Sequence, residues 1–307
     1  MNYLPEGRLI DTPQNRCSLR SIAGIQEACV SGKILEARAA MCDSMHNLTV
    51  DMGCITGVIE REEGAIGIKE GIVRDIALIS RVGKPVSFVV TDVVNEGGPP
   101  RAVLSRRRAQ QICYNHYIKN LRCGDIIDAR ITHLETFGAF CDIGAGNVAL
   151  LPIDAISVSR IGHPGERFSV GEDIRAIVKN IDVQGRVTLT HKELLGTWEE
   201  NARLFESGQT VSGVIRSVED YGVFVELSPN MAGLAELHTG ARPGMAASVF
   251  IKNLIPEKMK VKLIIINIFD EIYTKKRTKY FYCGGHITRW RYSPSCCERV
   301  VESFFGE

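Results

Sequence analysis

The sequence predicts an all-β chain: three five-stranded Greek-key barrels in tandem, joined by helical linkers and followed by a small C-terminal appendage. Two observations carry this. The first is an internal repeat, in which Gly124-Asp125-Ile126-Ile127 leads to Phe137-Gly138-Ala139-Phe140, and Gly208-Gln209-Thr210-Val211 leads to Tyr221-Gly222-Val223-Phe224. Gly208, Tyr221 and Phe224 each fall 84 residues after Gly124, Phe137 and Phe140, and Cys141-Asp142-Ile143 is answered by Val225-Glu226-Leu227, so a module is duplicated. The second is local pattern: Ile126 to Ile131, Ala139 to Ile143, Asp173 to Ile181 and Val187 to Thr190 are short, β-branched and punctuated by Gly and Pro. Such segments, recurring at five to a module of about 70 residues, suit a small barrel.

Composition agrees with several ordinary domains. At 307 residues the chain is long enough for two or three cores, and 45% hydrophobic with 24% charged residues and a net charge of +1 excludes both disorder and a polybasic tail protein. Its longest strongly apolar stretch, Leu263 to Phe269, is far short of the roughly 18 residues a spanning helix needs. Met1 to Ile10 carries Pro5, Glu6 and Arg8 where a signal peptide needs an apolar run, so a cytoplasmic protein without membrane contact is expected. Ten cysteines with no Cys-x-x-Cys read as reduced hydrophobes rather than a disulfide framework.

The segments follow in order. Residues 1–30 form an N-terminal segment. Residues 31–108 hold a degenerate third copy, starting at Gly32-Lys33-Ile34-Leu35-Glu36, with Met45, His46 and Leu48 where the later copies carry rings. Residues 109–121 and 194–206 read as helical linkers, rich in helix formers and including Thr197-Trp198-Glu199-Glu200. The two clear barrels occupy 122–193 and 207–269, and 270–307 is a basic linker, Lys275-Lys276-Arg277, with an aromatic tail.

The Phe/Tyr-Gly-x-Phe element carries the most information. Rings in strands fill barrels more often than they face solvent, but rings at i and i+3 beside a glycine also suit an open face on which bases stack, and the glycine would let a planar group approach. Neither clear barrel is basic overall, so phosphate contact requires a local stripe. Arg130, Lys179 and Arg186 in one and Arg216, Lys252, Lys258 and Lys260 in the other are the candidates. Arg106-Arg107-Arg108 reads as a solvated helix face, with nucleic-acid contact as the alternative.

Taken together, Gly-Asp-x-x-x-Ala-x-Ile, Phe-Gly-Ala-Phe-x-Asp-x-Gly, the Leu150-Leu151 pair and Val178 to Thr190 resemble the S-one RNA-binding repeat, an OB-type module. The resemblance is strong over 122–193, good over 207–266 and weak over about 31–108, and as a whole the chain is similar to bacterial ribosomal S-one homologues with few repeats. It implies an RNA face of two aromatics, a histidine on the third strand, and an acidic and a basic residue near the last hairpin. These positions fall on Phe137, Phe140, Pro152, Asp182 and Arg186 in the middle module, and on Tyr221, Phe224, Glu236, Pro256 and Lys260 in the last. The histidine is missing from both and the acid from the last. In the first module only Asp92 and Arg101 match, with Glu60 near the histidine position.

Catalytic patterns fail their context. Gly144-Ala145-Gly146-Asn147-Val148-Ala149 satisfies G-x-G-x-x-A but runs into Leu150-Leu151-Pro152 rather than a helix, so it reads as a turn. No Walker-type, H-E-x-x-H or G-x-S-x-G motif occurs, and His163 sits in a Gly-His-Pro-Gly loop. Cys283, His286, Cys296 and Cys297 have the elements of a zinc set, but adjacent cysteines fit one tetrahedron poorly, and a packed aromatic appendage is the preferred reading. The expectation is a non-enzymatic, cofactor-free protein binding single-stranded RNA, with no small-molecule substrate. The resemblance implies association with the small ribosomal subunit and help in bringing mRNA to it, the first module being the protein-docking element. A ribosome-independent factor in RNA decay or chaperoning is the alternative.

Overall fold

The computed structural model describes residues 3–95, 99–272 and 278–306, with only the backbone at 270–272. The basic run Lys275-Lys276-Arg277 lies outside the described residues. In chain order come α1 (Pro13–Leu19), α2 (Ile22–Ser31), β1 (Ile34–Cys42), β2 (Leu48–Asp51), β3 (Thr56–Ile59), α3 (Ile76–Ile79), β4 (Pro85–Val94), β5 (Arg101–Ser105) and α4 (Arg106–His116). They are followed by β6 (Ile126–Glu135), β7 (Gly138–Asp142), β8 (Val148–Pro152), β9 (Asp173–Ile181), β10 (Val187–Thr190) and α5 (Trp198–Ala202). The last set is β11 (Thr210–Glu219), β12 (Gly222–Ser228), β13 (Met231–Ala235), β14 (Met245–Ile255), β15 (Lys260–Ile272), β16 (Arg289–Arg291) and β17 (Glu302–Phe304). No helix among the described residues is long and apolar enough to cross a membrane.

Strands β1–β5, β6–β10 and β11–β15 each close into a five-stranded barrel. In every copy the third strand pairs in parallel with the fifth: Val58 with Val103, Leu150 with Thr188, Leu234 with Lys262. Side chains alternate in and out along each strand, so a closed barrel this small fills with aliphatics. Leu35, Val50, Ile59, Val86, Phe88 and Leu104 form the first core, and Ile215, Val223, Val225, Val249, Ile251 and Leu263 the last. In the middle barrel Ala129, Ile131, Ala139, Cys141, Leu151, Val178 and Leu189 are buried.

Local chemistry sets the helix ends. Ser105 Oγ accepts the Arg108 amide at 2.9 Å at the start of α4. Thr197 and Glu200 make a reciprocal capping box on α5, and Gly32 ends α2 in a left-handed conformation.

The residues group into two compact units, one comprising 1–121 with 128–130 and 142–148, the other comprising the rest. In the first, Glu6 is buried and accepts hydrogen bonds from Arg106 Nε at 2.7 Å, Arg81 Nη1 at 3.0 Å and the Ser87 amide at 3.0 Å. Arg106 also donates to the Gly64 carbonyl, and Arg107 pairs with Glu63 at 2.5 Å. The three-arginine run is therefore neither a solvated face nor a nucleic-acid stripe: Arg106 is an internal counter-ion, Arg107 is paired, and Arg108 alone is exposed. Beside this pair, Asp142 accepts the amides of Glu6 at 2.7 Å and Gly144 at 2.8 Å, which turns the G-x-G-x-x-A segment between β7 and β8.

In the second unit the tail is part of the core. Trp290, Tyr292 and Phe305 pack with Trp198, Leu194 and the interior of the last barrel. Tyr292 donates its hydroxyl to the Asn230 carbonyl at 2.6 Å, and buried Asn230 donates to the carbonyls of Lys192 and Gly196. Buried His191 donates Nδ1–H to the Ile156 carbonyl and accepts the Tyr280 hydroxyl at Nε2; burial lowers it to about 4 and keeps it neutral.

The glycine of each Phe/Tyr-Gly-x-Phe element has a packing role. A Cβ on Gly138 would lie 2.6 Å from the Leu151 carbonyl oxygen, and one on Gly222 would lie 2.4 Å from that of Ala235. The expectation that this glycine serves to admit a planar ligand is corrected: it lets the second strand approach the third. Gly138→Ala should destabilise the protein by about 1–3 kcal/mol through overpacking, read as a lower denaturant midpoint. A midpoint equal to the parent's would remove the close approach from the account.

The buried carboxylates predict a pH dependence. Burial first, and the charge of Glu6 second, push Asp142 up to about 7. Burial of Glu6 itself is outweighed by the charge and hydrogen bonds of Arg106 and then by Arg81, so its carboxyl is held below the usual range. An aspartate raised from 3.8 binds its proton more tightly folded than unfolded, so its contribution to stability falls as pH rises through that interval to about 7. Asp142→Asn should therefore gain in melting temperature relative to the parent from pH 5 to pH 8. A constant difference across that range would show that Asp142 does not titrate there.

Candidate nucleic-acid interface

Two barrels carry a ring pair at one place. Phe137 precedes β7 and Phe140 lies on it; their centroids are 6.0 Å apart with planes at 86°. Tyr221 and Phe224 repeat this before and on β12, at 6.1 Å and 89°. Phe137 is 55% exposed and Tyr221 69%, while Phe140 and Phe224 are half-buried. Alternation is the cause: Ala139 and Cys141, and Val223 and Val225, point inward from the same strands, so the rings must stand on the outer face.

Register extends that face into a row. In the last barrel Ser217 lies opposite Phe224, Phe224 opposite Leu234, Leu234 opposite Lys262 and Lys262 opposite Asn253. The middle barrel places Leu150 opposite Thr188 and Thr188 opposite Asn180. In the first barrel the same path reads Met41, Thr49, Val58, Val103 and Asp92, without a ring. Met45 there lies exposed in the β1–β2 turn and His46 takes a left-handed conformation, while Leu48 is buried. Asp92 accepts the Val93 amide, Arg101 is exposed opposite Val94, and Glu60 is exposed just after β3.

The last hairpins differ. Asp182 accepts the amides of Gln184 and Arg186 and the Arg186 Nε at 2.8 Å, and the Arg186 backbone and side-chain hydrogen bonds hold its carboxyl below the usual range. Arg186 is 75% exposed, so it keeps donors for a ligand. The β14–β15 hairpin has no such acid: Pro256–Lys258 makes one short turn, Met259 takes a left-handed conformation, and Lys258 and Lys260 are exposed. Bulges in β9 and β14 fall at Lys179 and Lys252, within Val178-Lys179-Asn180 and Ile251-Lys252-Asn253, and both lysines are exposed; β4 has Thr91 at its bulge. A bulge re-aims the extra side chain, so the two later barrels offer a cation at corresponding points. Pro152 is half-buried at the end of β8, and Glu236, just after β13, is exposed.

Two expected phosphate contacts are corrected. Arg216 is only 9% exposed; it donates Nε to Glu226 at 2.8 Å and Nη1 to Glu166, so its charge is neutralised inside the protein. Arg130 turns its Nη1 to the Glu6 carbonyl at 2.9 Å. Two face residues are absent from the sequence reading. Lys262 follows Lys260 by one strand period and so shares its side of β15, a signal alternation offers. His133 on β6 lies 6.5 Å from Phe140, at the position of Ser217 in the repeat.

In the tail, His286 Nδ1 lies 2.8 Å from Asp125 Oδ1, Cys297 is buried and Cys283 and Cys296 are exposed. Among the described residues no group of three or more His, Cys, Asp or Glu side chains is placed to hold a metal ion.

The S1 RNA binding domain matches residues 121–192. Small ribosomal subunit protein bS1 of Staphylococcus aureus strain COL is 27% identical over 266 residues, covering 80% of this chain and 64% of that protein's length. The bS1 protein of Staphylococcus epidermidis is 28% identical over 242 residues, covering 68% and 61%. Among solved structures, a multidomain protein with nucleic acid binding domains from Streptococcus pneumoniae is 13% identical, covering 77% of this chain and 74% of that one at a TM-score of 0.25. The middle barrel thus matches the S1 RNA binding domain, and over most of its length the chain is similar to bS1 proteins, of which it spans somewhat less than two thirds.

Proposed function

We propose that the protein binds single-stranded RNA on the outer faces of its middle and last barrels, without catalysis, in the cytoplasm, and assists mRNA recruitment to the small ribosomal subunit. The observation that carries this is the recurrence, at one place on two barrels, of a mutually perpendicular ring pair with one ring exposed and one half-buried. Exposing rings costs solvation, and base stacking is the use that offsets it, with little sequence preference because every base has a π-face. Arg186, Lys179, Lys252 and Lys260 stand exposed on the ring-bearing barrels, where they supply phosphate contacts, and Asp182 orients Arg186. The bS1 relatives support the ribosomal part of the reading, and co-sedimentation with small subunits at low salt tests it. Protein recovered only in the ribosome-free fraction would favour a ribosome-independent RNA factor.

Phe140→Ala and Phe224→Ala should each weaken binding of a single-stranded oligonucleotide by about 1–3 kcal/mol with circular dichroism unchanged. Unchanged affinity in a folded variant would refute the stacking face. Arg186→Ala and Lys260→Ala should lower affinity for all sequences and flatten the dependence of log K on log salt by about 0.7 for each phosphate the variant no longer neutralises. Parent-like slopes would remove both from the interface.

A further inference from the structure

We infer that the chain self-associates, two copies meeting antiparallel along the uncovered end of β15 and burying Ile264, Ile266 and Phe269 of each. The inference is independent of the RNA-binding reading and comes from how each of the three barrels finishes its last strand.

The parallel pairings align Val103, Thr188 and Lys262. Two residues later stand Ser105, Thr190 and Ile264. Ser105 and Thr190 are each 1% exposed, whereas Ile264 is 42% exposed. In the first two barrels a hydroxyl ends the strand. Ser105 accepts the Arg108 amide to cap α4 and donates to Glu63, while Thr190 donates to Glu193 at 2.6 Å and to the Ala155 carbonyl at 3.3 Å. Glu63 and Ala155 come from the connections between third and fourth strands, residues 60–84 and 153–172. The Ala155 carbonyl also accepts the next amide, that of His191, at 2.8 Å.

The last barrel has neither device. Isoleucine replaces the hydroxyl, and β15 runs for 13 residues where β5 has 5 and β10 has 4. The connection from β13 to β14 is the shortest of the three, residues 236–244, and β13 pairs with β15 no further than Leu263. From Ile264 to Phe269 the described backbone pairs with β14 alone, and its other edge faces no strand. A bulge opposite Val249 and Ser248 turns Ile266 outward, 58% exposed, and Phe269 is 43% exposed. Leu263 to Phe269 carries no charge. An apolar, uncharged strand edge is a template for another strand.

Charge order selects a second copy of this chain. The sequence of β15 opens with Lys260 and Lys262 and closes with Asp270 and Glu271, so antiparallel pairing with itself brings unlike charges together at both ends, and parallel pairing would bring like charges together. Ile266 is midway between Lys262 and Asp270 and therefore faces its own copy across the two-fold.

Sedimentation of the nuclease-treated full chain over a range of concentrations tests this. The parent should pass reversibly from one copy to two. Ile266→Lys should raise the dissociation constant of the dimer about ten-fold or more, because two like charges replace a central apolar contact. Ile266→Glu should do the same, and an equimolar mixture of the two variants should dimerise more tightly than either alone, a recovery that a folding defect would not give. A parent that stays a single copy throughout would overturn the inference, as would Ile266→Lys with unchanged circular dichroism and the parent's dissociation constant. If the mixture associates no more tightly than the separate variants, the antiparallel contact at Ile266 falls.

Discussion

The constraint on which the rest depends is closure of five short strands into a barrel through the parallel pairing of the third strand with the fifth. Closure leaves one narrow interior, and alternation assigns every second side chain to it. Small and branched residues fill that space, as Ala139, Cys141, Leu151 and Leu189 do in the middle barrel. A ring placed between two such residues on the same strand has to stand outside, and so the rule that packs the interior puts Phe140 and Phe224 on the outer face, half-buried. The backbone approach at Gly138 and Gly222 belongs to the same closure, since the second strand must pass close to the third before the sheet can curl.

Buried ion pairs supply a second level of order. Glu226 receives the guanidinium of Arg167, with Nη1 at 2.7 Å, and that of Arg216, which also reaches Glu166. Desolvating these groups is unfavourable, and the pairing offsets it only because each carboxylate is matched by directed N–H donors. Such a network adds little net stability over an apolar cluster, but it tolerates few alternative arrangements, so it fixes the β8–β9 connection against β11 and β12. Glu6 with Arg106 and Arg81 does the same for the N-terminal segment. In both places the cations are those that a reading by charge alone would assign to phosphate.

This marks what the sequence could and could not reveal. Repeat offsets, strand periodicity and turn glycines are local, so the three barrels and the ring pairs were legible before any coordinates. Arg216 was misread because its partner Glu226 is ten residues away on the next strand and its other partner, Glu166, fifty; pairing at that range depends on register. Arg106 was misread because Glu6 is a hundred residues off. His133 went unnoticed because it matches no motif, and it acquires meaning only when β6 and β7 bring it to Phe140. Lys262 was within reach of an alternation argument applied from Lys260. Gly138 was seen, but its reason was not, because the Leu151 carbonyl it accommodates becomes a neighbour only on closure.

The three copies then differ in one physical respect, the content of an otherwise equivalent row. Met41, Thr49 and Val58 give the first barrel a surface that offers a base nothing planar to stack on, while its core and register are intact. The fold tolerates this because the row lies on the outer face, while Leu35, Val50, Ile59, Val86, Phe88 and Leu104 fill the interior. Among the described residues, such ring pairs stand only on the middle and last barrels, and the Glu226 network and the tail carrying Trp290 and Tyr292 pack against the last. Were an RNA held at one ring pair as proposed, capture at the other would be an intramolecular step, and a braced support would leave less order to be created. Two weak faces on a stiff support bind more tightly than two on a loose one with the same contacts. On the proposed reading, the aromatic tail, remote from any motif, would act on affinity through the order it imposes on the last barrel rather than through contact.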